Sequence, residues 1–94
     1  MPFTRSQAEE YLAQVSAWEL DKPARRISKQ FTFPDFKTAL EFANKVGAIA
    51  EEEGHHPDLT ISWGKVGVQL STHVIGGLSE NDFILAAKID TVEV

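Results

Sequence analysis

The side chains best suited to chemistry in this sequence are three histidines, which all lie in the second half of the chain. His55 and His56 are adjacent, and His73 follows after two runs of alternating apolar and polar residues. The pKa of an unperturbed imidazole is about 6.5, so such a ring can both donate and accept a proton at neutral pH. A cluster of these histidines would therefore be a candidate site for acid–base catalysis.

The two alternating runs predict how close the histidines come. They are typical of two half-buried strands that share one apolar face on either side of Gly64-Lys65, with Leu59, Ile61, Trp63, Val66, Val68 and Leu70 on that face. A two-residue turn at Gly64-Lys65 would pair Ile61 with Val68, because turn length fixes the register of a hairpin. The same register places His56 near His73 on the polar face. We therefore expect the three imidazoles to converge at the open end of the hairpin.

Two alternatives to catalysis remain open on residue type alone. Exposed histidines can meet at a hairpin end by chance, and three histidine ligands can hold a zinc ion with one open position. Against zinc, His55 and His56 would point in opposite directions if their segment is extended. Among the nearby carboxylates, Asp82 either orients a histidine or only caps a helix, and Glu51 to Glu53 are more typical of a solvated helix end.

Capping residues and hydrophobic periodicity predict the elements that carry these side chains. In chain order we expect a helix at 5–16, strands at 18–20 and 27–33, a helix from the Asp35 N-cap to Gly54, hairpin strands at 59–63 and 66–70, and a helix after the Ser79 N-cap. The middle helix would carry Phe36, Leu40, Ala43, Val46 and Ala50 on its apolar face, and Trp18 and Trp63 would belong to the core. This order predicts a two-layer α+β fold, in which three helices pack on one face of a four-stranded antiparallel sheet.

Length and composition exclude several classes of function. The 94 residues suffice for a single domain, expected over 1–94. Nine Lys and Arg residues against 14 Asp and Glu residues give a net charge of −5, which argues against nucleic acid as a partner. The absence of cysteine excludes disulfides, thiolate nucleophiles and Cys-ligated metal sites. We find no signal peptide and no membrane-spanning apolar run, so we expect a cytoplasmic protein with no membrane partner.

A longer pattern links the histidines to a known family. The string Glu51-x-x-x-His55-His56-Pro57, followed by Trp63, His73 and Asp82, resembles the signature of the pterin-4a-carbinolamine dehydratase family. The flanking segments 29–36, 70–73 and 77–80 and the region around Trp18 are also similar to that family. The resemblance covers nearly the whole chain from about residue 10 onward.

The resemblance implies an enzyme that dehydrates 4a-hydroxytetrahydropterin to quinonoid dihydropterin without a metal or an organic cofactor. It assigns His55 and His73 as the acid–base pair, and His56 as the catalytic-site residue that grips the pterin. Asp82 would orient His73, and Glu51 would hold the pterin ring or tune a histidine. The remaining substrate-binding positions that it implies are Gly54, Ser71, Thr72 and Val74, with Trp18 closing an apolar wall.

The resemblance also implies partners and an alternative role. Members of the family form homodimers or homotetramers and serve the pathway of aromatic amino acid hydroxylases, while some relatives are non-catalytic assembly factors or transcription coactivators. This sequence departs from the family where Gly54 replaces a frequent acidic residue and Asn81 a frequent basic one. These two positions predict altered electrostatics at the rim of the pocket.

Overall fold

The computed structural model describes residues 1–94 and contains three helices and four strands. The elements are α1 (Arg5–Leu12), β1 (Glu19–Leu20), β2 (Ile27–Thr32), α2 (Phe36–Glu53), β3 (Asp58–Ser62), β4 (Lys65–Leu70) and α3 (Glu80–Ile89), with a short 3-10 turn at His73–Ile75 between β4 and α3. This order confirms the predicted succession of elements and the α+β class.

The four strands form one antiparallel sheet in the order β1-β2-β4-β3. Alternate side chains of β4, namely Val66, Val68 and Leu70, are buried beneath the helices, and so is Ile27 at the start of β2. The helices add Phe42, Val46, Leu85 and Ile89 to the same core cluster. β4 lies between β2 and β3, so its C-terminal end is held firmly where the chain leaves the sheet.

The register of the β3–β4 hairpin differs from the predicted one by two residues. Ile61 pairs with Val66 rather than with Val68, and the two-residue turn is Trp63-Gly64 instead of Gly64-Lys65. Gly64 has φ +70°, a left-handed conformation that costs glycine little. Because a shift of two residues keeps every side chain on its face, the predicted faces hold although the predicted pairs do not.

Trp63 is not a core residue, which corrects the expectation from its parity. It stands in the turn, beyond the last paired residues of an edge strand, and 71% of its surface is exposed. Ile61, which precedes it on the same face, is also exposed. The helices therefore do not reach the tip of the hairpin.

Both ends of α2 are set by the residues that sequence patterns indicated. Asp35 is the N-cap and its carboxylate accepts a hydrogen bond of 2.7 Å from the Thr38 N–H. Gly54 ends the helix in the left-handed conformation, with φ +64°. The buried side of α2 consists of Ala39, Phe42, Ala43, Val46 and Ala50.

Phe36 and Leu40 are exposed, contrary to the predicted apolar face of α2. At 100° per residue, both side chains lie just outside the arc of the helix surface that the buried residues occupy, and they therefore face solvent. α1 is also shorter than predicted, because residues 13–15 leave the helix through i to i−3 hydrogen bonds at Gln14 and Val15. None of the three helices has the length and apolar character needed to cross a bilayer.

We expect Gly64→Ala to destabilise the fold more than Gly54→Ala. Both glycines have positive φ, which costs an alanine about 1 kcal/mol. A Cβ on Gly64 would also lie 2.9 Å from the backbone oxygen of Phe33, whereas nothing lies within 4 Å of a Cβ on Gly54. Urea unfolding should show a loss of about 1 kcal/mol for Gly54→Ala and at least about 2 kcal/mol for Gly64→Ala. Equal losses would contradict a close approach of Phe33.

The N-cap of α2 predicts a pH-dependent contribution to stability. Hydrogen bonds from Thr38, through its side chain and then its backbone N–H, lower the pKa of Asp35. Because the folded pKa lies below that of the unfolded chain, this stabilisation is complete above about pH 4 and is lost as the pH falls through the folded pKa. Asp35→Asn retains a capping oxygen but cannot titrate. In urea unfolding, the advantage of the wild type over Asp35→Asn should be present at pH 7 and vanish near pH 2; an advantage independent of pH would disprove the assignment.

Candidate active site

The expected convergence of histidines occurs at an open pocket of about 260 Å³ beside the C-terminal end of α2. Two short segments form its lining: the first is Gly54, His55 and His56, and the second is Ser71, Thr72, His73 and Val74. All seven were candidate site residues on sequence grounds. The structure thus brings the three imidazoles to one concavity, although the hairpin register that suggested this was wrong by two residues.

The end of α2 positions the first segment. Gly54 reverses the chain in its left-handed conformation, and the His55 N–H donates to the Ala50 oxygen at 3.1 Å. His55 and His56 therefore follow directly on a fixed helix end, before Pro57 leads into β3. Only a glycine occupies this left-handed position at low cost, so the helix cap and the placement of both histidines have one origin.

A loop after β4 positions the second segment. Thr72 and Gly77 form an isolated antiparallel bridge, in which the Thr72 N–H donates to the Gly77 oxygen at 2.7 Å. This bridge closes a small loop that begins with the 3-10 turn at His73. The imidazole of His73 has no hydrogen-bond partner within the chain and is exposed, and Val74 beside it is 93% exposed. His73 is therefore free to contact a ligand in the pocket.

His55 is held by a buried carboxylate. Its Nε2 lies 2.6 Å from Oδ1 of Asp82, whose side chain is fully buried, while the His55 side chain is 15% exposed. This contact corrects the expectation that Asp82 orients His73. The reason is geometric: Asp82 lies on the first turn of α3, which packs against α2 and so faces the segment after Gly54.

The other oxygen of Asp82 belongs to a polar network under the pocket. Oδ2 accepts hydrogen bonds from the Thr72 hydroxyl at 2.8 Å and from the Ser79 N–H at 2.9 Å. The hydroxyls of Thr72 and Ser79 are themselves 2.8 Å apart. Asp82 therefore both caps α3 and holds a histidine, so the two roles left open by the sequence occur together. The hydrogen bond between the Ser79 and Thr72 hydroxyls was not predicted, because the sequence assigned Ser79 only as the N-cap of α3.

His56 has a different carboxylate partner. Its Nε2 is hydrogen bonded to Oε2 of Glu51, which lies on the last turn of α2. Both side chains are largely exposed, so this pair contributes less to stability than the one between His55 and Asp82. Glu51 is thus within reach of the pocket rim but does not line the concavity.

Trp18 does not belong to the pocket, contrary to the role implied for it. It is buried in the core, and its Nε1 donates to both carboxylate oxygens of Asp90 at 3.1 Å. Lys29 donates to the same carboxylate at 2.7 Å. Trp18 therefore joins the end of α3 to the sheet through Asp90, and it is not among the residues that line the histidine pocket.

A larger groove of about 360 Å³ lies between α1 and α3, but it contains no histidine. Its lining includes Tyr11, Val15, Phe83 and Ile84. The Tyr11 hydroxyl donates to Glu80 at 2.9 Å, and this hydrogen bond, reinforced by the charge of Glu80, raises the pKa of Tyr11 above its ordinary value. Volume alone would favour this groove as a binding site, whereas only the histidine pocket is lined by imidazoles, the side chains most often used for general acid–base catalysis. No three His, Asp or Glu side chains converge closely enough to hold a metal ion.

Comparisons with known proteins agree on one family. The family model described as pterin 4 alpha carbinolamine dehydratase matches residues 1–92. A relative from Methylococcus capsulatus, named for pterin-4-alpha-carbinolamine dehydratase activity, is 51% identical over 95% of this chain and 78% of its own. A relative from Halorhodospira halophila with the same kind of name is 50% identical over 97% of this chain and 84% of its own.

Solved structures give the same answer for the fold. A crystal structure of a transcriptional coactivator/pterin dehydratase from Brucella melitensis superposes with a TM-score of 0.89, at 31% identity and 96% coverage of both chains. A pterin dehydratase-like RuBisCO assembly factor of the alpha-carboxysome superposes with a TM-score of 0.68 over 80% of this chain and 87% of its own. At 22% identity, the second likeness concerns the fold alone.

We expect Trp18→Phe to reduce stability without disturbing the pocket. The substitution keeps an aromatic ring in the core but removes the hydrogen bond to Asp90, so the free energy of unfolding should fall by about 1–2 kcal/mol. Trp63→Phe is the matched control, because Trp63 is exposed and should change stability by less than about 0.5 kcal/mol. The NMR signals of the three histidine rings should stay in place in both variants. Displaced ring signals in Trp18→Phe alone would show that Trp18 does support the pocket.

Proposed function

This chain belongs to the pterin 4 alpha carbinolamine dehydratase family, and on that premise we propose that its histidine pocket converts 4a-hydroxytetrahydropterin to quinonoid dihydropterin and water by acid–base catalysis. The protein is accordingly a hydro-lyase, as its relatives are named. The observation that carries the proposal is the lining of the pocket. Three imidazoles from two separate segments surround a space that is open to a small molecule.

The reaction requires two proton transfers, and imidazoles suit both. The 4a-hydroxyl leaves as water once its oxygen receives a proton, and the neighbouring ring nitrogen must lose its proton so that a carbon–nitrogen double bond can form. One protonated and one neutral imidazole can supply these two steps, after which the pair returns to its starting state by proton exchange with water. We assign the two steps to His55 and His73, because they line the pocket from two different segments and the family resemblance implies this pair.

The contact with Asp82 determines which nitrogen of His55 can act. An ionised carboxylate only accepts hydrogen bonds, so His55 donates through Nε2, which lies 2.6 Å from Asp82. Nδ1 is then the nitrogen that exchanges a proton with the pterin. A fixed ring orientation of this kind lowers the cost of reaching the reactive geometry.

The other polar groups of the pocket are suited to binding. We assign the grip on the pterin to His56, which pairs with Glu51 at the rim, together with the Ser71 hydroxyl. Gly54 leaves space at the mouth of the pocket, and the exposed Val74 offers an apolar contact. We assign no role in binding to Trp18.

A non-catalytic role as an assembly or coactivator partner is the alternative. The exposed apolar side chains of Phe36, Leu40, Ile61 and Trp63 lie outside the pocket and are suited to contacts with a second copy of the chain or with another protein. Such contacts do not require histidines, whereas this chain keeps all three together with Glu51 and Asp82. The complete set favours catalysis, with a homo-oligomer as the expected assembly.

The test is to generate 4a-hydroxytetrahydropterin in a stopped-flow instrument and follow its dehydration against the uncatalysed decay. The wild type should accelerate the reaction, and His73→Ala should lose about 100-fold or more of kcat, because a general acid or base contributes about 10²–10⁴-fold. Gln30→Ala, on the exposed side of the sheet, is the control and should retain full activity. No acceleration by the wild type would favour the partner role, and full activity of His73→Ala would remove His73 from the chemistry.

A further inference from the structure

We propose that Thr72 is a positioning residue that fixes His55 through Asp82, rather than a ligand of the pterin. The inference rests on the proposed function, in which His55 exchanges a proton with the substrate. Thr72 lines the pocket, so its hydroxyl was a natural candidate for contact with substrate. Its hydrogen bonds within the chain point to a different role.

The single proton of the Thr72 hydroxyl is already used in a hydrogen bond within the chain. It donates to Oδ2 of Asp82 at 2.8 Å, and the Ser79 hydroxyl, 2.8 Å away, is the group that can donate to it in turn. A hydroxyl has one hydrogen to give, so Thr72 cannot donate to a pterin without releasing Asp82. By contrast, the Ser71 hydroxyl lines the same pocket and makes no hydrogen bond within the chain.

Releasing Asp82 would be costly because its carboxylate is fully buried. Its Oδ2 has two donors, the Thr72 hydroxyl and the Ser79 N–H, and its Oδ1 is left to His55. With the Thr72 hydroxyl removed, the buried Oδ2 keeps a single donor, and the carboxylate can rotate to compete for other donors. His55 would then lose the fixed acceptor at Nε2 that holds its ring and its tautomer.

The same residue links this network to the loop that carries His73. The backbone of Thr72 pairs with Gly77, and His73 is the next residue in the chain. A side chain change at Thr72 leaves this backbone pairing in place, so its effect should pass mainly through Asp82 to His55. This separation makes the proposal testable.

The experiment compares Thr72→Val, which removes the hydroxyl at nearly constant shape, with Thr72→Ser, which keeps it. Thr72→Val should lower kcat by about 10-fold to 100-fold and leave KM within about twofold, because binding contacts remain and only the orientation of His55 is lost. Thr72→Ser should restore most of kcat. Ser71→Ala serves as the contrast and should raise KM at nearly unchanged kcat.

The ring nitrogens of His55, observed by 15N NMR, provide a readout that does not depend on activity. In the wild type the proton should reside on Nε2, and Thr72→Val should shift the tautomer balance of His55 while Thr60→Val, on the exposed face of β3, leaves it unchanged. If Thr72→Val does not fold, Ser79→Ala replaces it, since loss of the donor to Thr72 should shift the same signals and lower kcat to a smaller extent.

Two results would overturn the proposal. A rise in KM at constant kcat in Thr72→Val would make Thr72 a pterin ligand, and unchanged His55 signals in that variant, or in Ser79→Ala where it replaces Thr72→Val, would exclude positioning. A wild type without dehydratase activity would refute the proposed function, but the His55 signals would still decide whether Thr72 positions the ring.

Discussion

The arrangement of the pocket depends on one buried carboxylate, that of Asp82. A carboxylate without access to water must receive hydrogen bonds from the protein, because an unsatisfied buried charge is among the most costly features that a fold can contain. Asp82 meets this requirement with donors from three places: His55 after α2, Thr72 after β4, and the Ser79 N–H at the start of α3. The three segments around the pocket are therefore held together by hydrogen bonds to the same carboxylate.

Most of the fold could be predicted from residues whose role is local. Asp35 and Gly54 set the ends of α2 by capping, and alternation identified both hairpin strands. The register could not be obtained in this way, because pairing Ile61 with Val66 or with Val68 puts the same side chains on the same face. Only the conformation of the turn decides between them, and the left-handed Gly64 can occupy more than one position in a two-residue turn.

The composition of the pocket was predictable for a related reason, while its internal contacts were not. The meeting of the three histidines could be expected because they follow a helix cap or a strand end, which sequence patterns identify, whereas the other lining residues were implied by the family resemblance. The partner of Asp82 depends instead on how α3 rotates against α2, which no periodicity specifies. The position of Trp18 could not be predicted for the same reason, since its contact with Asp90 joins residues 72 positions apart.

The sequence distances within the pocket network have a consequence for how the molecule assembles. His55 and Asp82 are 27 residues apart and Thr72 and Asp82 are 10 apart, whereas Tyr11 reaches Glu80 across 69 residues and Lys29 reaches Asp90 across 61. Closing a short loop costs less chain entropy than closing a long one, and contacts of low contact order favour rapid folding. We therefore expect the hairpin and its two flanking helices to gather around Asp82 before the N-terminal segment docks onto them.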